Sequence, residues 1–158
     1  MRCSLAALLL ILLAGCGDHV VYQEDVSLPE AVWNREFKPV FEFTITDTVS
    51  HHDILLDIRH TGDYPYSDLF VFIELEGPDG RFLRDTLEGR LADPSGRWFG
   101  RGTGFIFADR FHAQVLYKYR NRFPISGRYS IGLEQAMRTE ELPGIIDVGI
   151  SIERSKAG

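Results

Sequence analysis

The residue with the most defined chemistry in this sequence is a cysteine. Cys16 closes the tetrad Leu13-Ala14-Gly15-Cys16, which directly follows an uncharged apolar run from Leu5 to Leu13 behind Met1-Arg2. A positive start, a short apolar core and small residues before a cut make a secretory signal. The run is too short to span a bilayer, which takes about 20 apolar residues. A bulky apolar residue, two small ones and a cysteine form the lipobox read by lipoprotein signal peptidase. The small residues let the backbone enter the peptidase extended, and the thiol is the nucleophile that takes a diacylglycerol before cleavage. The spacing predicts a signal peptide over residues 1–15 and a mature chain that starts at an acylated Cys16. One acyl chain binds a membrane marginally, at about 0.8 kcal/mol per buried CH₂, whereas the several chains of a mature lipoprotein, palmitate among them, hold firmly. The expected partner is therefore a membrane, with the polypeptide spanning nothing. Gly17-Asp18-His19-Val20 carries no dense acidic run after Cys16, and Glu24-Asp25 comes late. The expected location is the outer membrane, facing the periplasm.

The other reactive groups give weaker patterns. His51-His52-Asp53 lies at a turn, and neighbouring strand positions face opposite ways. No helical His spacing of the zinc type occurs, so no metal site is expected. Gly77-Pro78-Asp79-Gly80 and Asp93-Pro94-Ser95-Gly96 lack the repeated oxygen ligands of a calcium loop and read as tight turns. Gly-x-Ser-x-Gly is absent, so no serine nucleophile stands out. Glu74 and Glu76 share one strand face about 7 Å apart, a spacing that imitates a glycosidase pair but is commoner among solvated glutamates. Gly100-Arg101-Gly102-Thr103-Gly104 is not followed by a helix pattern, as a phosphate loop requires. No catalytic residue and no cofactor are expected. Trp33, Tyr64, Tyr66 and Trp98 fall in loops, where they either form a surface for a protein or glycan partner or pack over the ends of the fold.

Composition sets the background for these groups. The chain has 158 residues, 44% hydrophobic and 12% aromatic, enough for one globular domain with a real core. Its net charge of -6, one unit more negative once Arg2 departs, argues against nucleic acid and against a second anchor by net charge on anionic lipid. The two cysteines are Cys3, lost with the signal, and Cys16, so the mature domain is expected to have neither disulfide nor free thiol.

Period-two alternation dominates the rest. Phe41, Phe43 and Ile45 alternate with polar residues; Ile54, Leu56 and Ile58 follow, then Leu69, Val71, Ile73 and Leu75. Val115, Tyr117 and Tyr119, then Tyr129, Ile131 and Leu133, then Ile146, Val148, Ile150 and Ile152 continue the pattern. Gly, Pro and Asp clusters separate the runs. This predicts an all-β antiparallel sandwich, jelly-roll or immunoglobulin-like, of about 8 strands. The expected domain covers residues 30–158 behind a lipidated tether over 16–29, with at most one short helix, around Gln135–Glu141.

Several short motifs occur in a fixed order. They are Tyr64-Pro65-Tyr66-Ser67-Asp68-Leu69, Asp85-Thr86-Leu87, Leu91-Ala92-Asp93, Gly96-Arg97-Trp98-Phe99-Gly100-Arg101-Gly102, Gly127-Arg128-Tyr129, Glu134-Gln135-Ala136-Met137-Arg138 and Gly144-Ile145-Ile146-Asp147-Val148-Gly149. Behind a lipobox, this series resembles the gliding motility lipoprotein GldH family over essentially the whole mature chain. The resemblance implies a membrane-attached accessory protein of the gliding machinery, which is tied to a dedicated protein secretion system. It implies other envelope proteins of that machinery as partners. It carries over no catalytic residue, and only Cys16 maps to a defined role.

Overall fold

The computed structural model describes residues 19–102 and 110–156. Cys16 and the leader before it lie outside the described residues, as do Thr103 and Gly104 of the glycine run. The strands are β1 (Val20–Ser27), β2 (Val32–Asn34), β3 (Val40–Ile45), β4 (His52–Thr61), β5 (Asp68–Glu76), β6 (Phe82–Arg90), β7 (Arg101–Gly102), β8 (Arg110–Asn121), β9 (Gly127–Gln135), β10 (Glu141–Pro143) and β11 (Ile145–Arg154).

One hairpin explains the topology. β5 and β6 pair directly across the loop from Gly77 to Arg81. β4 then pairs with β8, β3 with β9, and β1 with β11, all antiparallel. These successive pairs are the arms of one long ribbon rolled onto itself. The rolled ribbon gives two facing sheets, in the orders β1-β11-β4-β8-β7 and β3-β9-β5-β6. This is the jelly-roll order, one of the two sandwich types the alternation predicts. β10 and β2 form a small separate ladder.

The alternation decides which side chains fill the gap between the sheets. Phe41, Phe43 and Ile45 are buried from one sheet while Val40, Glu42 and Thr44 face out. Ile54, Leu56, Ile58, Ile150 and Ile152 enter from the other. Each fully buried side chain of this kind contributes about 1.5–3 kcal/mol. Phe43, Phe123 and Tyr129 pack as a ring cluster, with Phe123 and Tyr129 edge-on at 4.9 Å.

Four expectations need correction. The tether is one: Val20–Ser27 is a full strand on the edge of the first sheet. Its residues are mostly exposed, so the alternation that marks the other strands is missing, and hydrogen bonds to β11 hold it in place. The helix around Gln135–Glu141 does not form. Gln135 ends β9 and turns inward, where its amide nitrogen donates to the carbonyls of Thr139 and Glu140 and its oxygen accepts from Met137 N–H. Those bonds replace the helical ladder. In β11 the pattern slips by one: a register shift between Ile145 and Asp147 puts Ile145 in the core and leaves Ile146 half-buried. β8 is also less buried than its pattern suggests, since Tyr119 is exposed.

Gly149 is required where β1 meets β11. A Cβ there would stand 2.4 Å from the Glu24 carbonyl oxygen and 2.8 Å from Asp25 Cα. By contrast a Cβ on Gly132 meets nothing closer than 3.7 Å. Gly149→Ala should therefore cost about 2–4 kcal/mol in chemical denaturation, with faster amide exchange over Val20–Ser27. Gly132→Ala should be neutral or slightly stabilising.

Candidate functional site

The aromatic loop residues gather at one end of the sandwich, where β4 ends and β5 begins. Tyr64 is buried under this end, and its hydroxyl donates to the Asp68 carbonyl at 2.9 Å. Gly144, at φ 88°, brings its backbone against Tyr64, so that a Cβ would sit 2.9 Å from Tyr64 Cα. The His60 ring lies 4.7 Å from Trp98, 5.5 Å from Phe111 and 5.8 Å from Tyr64. Trp33 lies in strand β2 rather than in a loop and is fully buried in the core, with its indole N–H donating to the Phe37 carbonyl at 2.9 Å.

Trp33, Tyr64, Tyr66 and Trp98 thus do not share one surface. Two are core residues, Trp98 is half-buried over His60, and Tyr66 alone is exposed. The cause is the open end of the sandwich, which needs large rings to cover it. Buried Tyr and Trp satisfy their polar tips on nearby carbonyls. A stacking face for glycan loses its main support.

What remains open is a groove of about 360 Å³ beside Tyr66, walled by Phe70, Ala136, Met137, Asp68 and Arg138. Every one of these except Phe70 belongs to the sequence motifs Tyr64–Leu69 or Glu134–Arg138. The Tyr66 hydroxyl pairs with Thr139 Oγ1 at 2.8 Å, which ties the first motif to the residue that directly follows the second. Phe70 N–H contacts Met137 Sδ at 3.3 Å. The motif at 134–138 therefore runs from the end of β9, paired beside β5, into a shaped loop, and Glu134 pairs with Lys38 and Arg84.

A second polar constellation covers the outer face of the β1-β11-β4-β8 sheet. Asp57 is buried there and accepts from Gln114 Nε2 at 2.8 Å, from Ser151 Oγ, and from His112 Nε2 at 3.3 Å. Asp147 accepts from Ser27 Oγ at 2.6 Å and pairs with Arg59. Asp25 lies beside this network. Partial burial and the Asp57 charge push its carboxyl above the usual range. Alternation alone reads Asp57 and Arg59 as solvent-facing, and no sequence signal marks the network.

The remaining candidates are separate. His52 is buried against Phe123 at 5.5 Å, while the His51 carbonyl accepts from Ser155 N–H. Glu74 pairs with Arg84. Asp93 accepts from Ser95 N–H at 2.8 Å and Ser95 Oγ at 2.6 Å, which holds its carboxyl below the usual range and closes the turn internally. Among the described residues no three His, Cys, Asp or Glu side chains are placed to hold a metal ion.

His52 and His60 set a pH dependence. Burial pushes both imidazoles below their usual value of 6.5, and the Nδ1 of His60, bonded to the Thr61 carbonyl, offsets only part of it. The folded values lie below the unfolded ones. Their contribution is therefore full above about pH 6.5 and is lost as pH falls through the folded values. Thermal unfolding should show a melting temperature that declines below pH 6.5, and His60→Phe should flatten that decline.

The profile of the GldH lipoprotein family matches residues 20–152. The gliding motility lipoprotein GldH homolog of Christiangramia forsetii is 36% identical, with 92% of this chain and 91% of that protein covered. The gliding motility lipoprotein GldH of Flavobacterium johnsoniae is 31% identical, with 91% of each chain covered. The match runs from the first residue of β1 to Ile152 in β11, so it takes in strands of both sheets from first to last. The chain belongs to the GldH lipoprotein family.

Proposed function

We propose that the protein is a non-catalytic accessory component of the gliding motility machinery and its associated protein secretion system. In this reading acyl chains on Cys16 hold it to the outer membrane, on the periplasmic side. The observation that carries the reading is the groove at Tyr66: an apolar, open site built from the motifs the family resemblance rests on, with Asp68 and Arg138 at its rim. An exposed tyrosine, a methionine and an arginine are the side chains enriched at protein interfaces. The histidines with partners in the fold do not reach this groove. His52 and His60 are held in ring packing, and His112 serves Asp57.

The test is a pull-down of tagged protein from solubilised envelopes. Wild type should co-purify gliding or secretion components. Tyr66→Ala combined with Arg138→Glu should reduce that recovery roughly tenfold, in line with loss of an interface hot spot, while lowering the melting temperature by only a few degrees, about what one lost surface hydrogen bond costs. Intact mass should show a chain that starts at Cys16 with added acyl groups, and Cys16→Ala should retain its leader. Recovery of no envelope protein with wild type would remove the accessory reading.

A further inference from the structure

The end of the sandwich opposite the Tyr66 groove is defined by where β1 begins. Val20 pairs with Glu153 at the end of β11, Arg154 with His52 at the start of β4, and His52 with Asn121 at the end of β8. The loops from Thr46 to His51, Gly77 to Arg81 and Arg122 to Ser126 all close this end. Direct contacts join them into one surface. Arg154 N–H donates to the His19 carbonyl, and Ser155 N–H to the His51 carbonyl. The Arg122 guanidinium reaches the Thr48 carbonyl at 3.4 Å, and Ser126 Oγ donates to the Ile45 carbonyl. Gly127 packs against Pro78, closely enough that a Cβ would lie 2.8 Å from it.

Cys16 stands four positions before Val20. Four residues reach at most about 14 Å even when fully extended. An acyl group on Cys16 therefore cannot let this end leave the bilayer surface by more than that distance. The composition of the end fits such a position. Val49 is 76% exposed, Phe82 59% and Ile125 36%. Phe82 and Ile125 flank an open apolar groove of about 300 Å³ with Leu83 and Pro124. Each apolar tip has an arginine near it. Arg122 reaches the loop of Val49, Arg81 precedes Phe82, and Arg128 follows Ile125. The pairs Arg81–Asp79 and Arg128–Glu42 are solvent-exposed, and pairs of that kind are weak enough to exchange for lipid phosphate.

We propose that this end rests on a phospholipid surface, with Val49, Phe82 and Ile125 entering the headgroup layer and Arg81, Arg122 and Arg128 at its phosphates. The proposal rests on the reading of Cys16 as acylated. It gives the domain a fixed orientation, with the Tyr66 groove facing away from the membrane. The length of β5, nine residues from Asp68 to Glu76, sets that groove about 30 Å above the lipid.

The test uses the full lipidated chain in vesicles of phosphatidylethanolamine and phosphatidylglycerol. Cys3 leaves with the signal and the Cys16 thiol is blocked by lipid, so Val49→Cys, Ile125→Cys and Asp63→Cys each offer a single thiol for an environment-sensitive fluorophore. Asp63 is exposed at the opposite end. Quenching by spin-labelled lipid should be at least about threefold stronger at positions 49 and 125 than at 63, as for side chains buried in the headgroup boundary. Equal quenching at the three positions, or stronger quenching at 63, overturns the orientation while leaving the anchor intact. Flotation of the vesicles and the mass of the N-terminal peptide report the anchor itself. A chain that does not float and carries no acyl mass overturns both readings together.

Discussion

The pairing of β1 with β11 is the interaction on which the rest of the molecule depends. It joins residues about as far apart in sequence as the fold allows, Val20 to Glu153 and Ser27 to Asp147. It is the outermost wrap of the rolled ribbon. Its side chains bury little, and the ladder is held by backbone hydrogen bonds, the Ser27–Asp147 bond and the close approach over Gly149. A strand that buries little but pairs fully is stable only against a finished sheet.

The polar network outside that sheet follows from the same arrangement. β11 and β4 are interior strands with their inner faces committed to Ile54, Leu56, Ile58, Ile150 and Ile152. Their outer faces carry Asp57, Asp147, Ser151 and Arg59, and neighbouring strands crowd these groups until Asp57 is only 2% exposed. Buried charge must be paired and hydrogen-bonded. Asp57 collects donors from β8 and β11, and Asp147 from β1 and β4. Carboxylates thereby become cross-strand ties that hold register among four strands.

This explains how much the sequence reveals. Alternation in Phe41-Glu42-Phe43-Thr44-Ile45 marks a half-buried strand because one face is wet, and the structure agrees. The same rule misplaces Asp57, because hydrophobicity does not distinguish a solvated carboxylate from one tied to three neighbouring side chains. β1 escapes detection since an edge strand needs no apolar face of its own. Gln135–Glu141 reads as helix by composition, and one side chain, Gln135, redirects it. The Tyr64–Leu69 and Glu134–Arg138 motifs are visible as motifs, but their meeting across β5 to make a groove is a fact of register between β5 and β9. Tyr64 and Trp98 show the limit from the other side: a large ring in a loop is as useful for sealing a sandwich end as for meeting a partner.

The position of β1 also bears on mechanics. If acyl chains on Cys16 hold the protein as proposed and a partner occupies the Tyr66 groove, the first would load the chain at Val20 and the second at the opposite end. Force between the two would run along the β1 axis. The ladder with β11 would then be sheared, with its bonds from Val20 to Ser27 strained together, rather than unzipped one after another. Shear of an antiparallel ladder resists better than peeling, because its hydrogen bonds lie perpendicular to the strands and share the load. A poorly buried edge strand can serve as the link to an anchor under this geometry. The backbone bonds that secure β1 thermodynamically are the same ones that would carry the load.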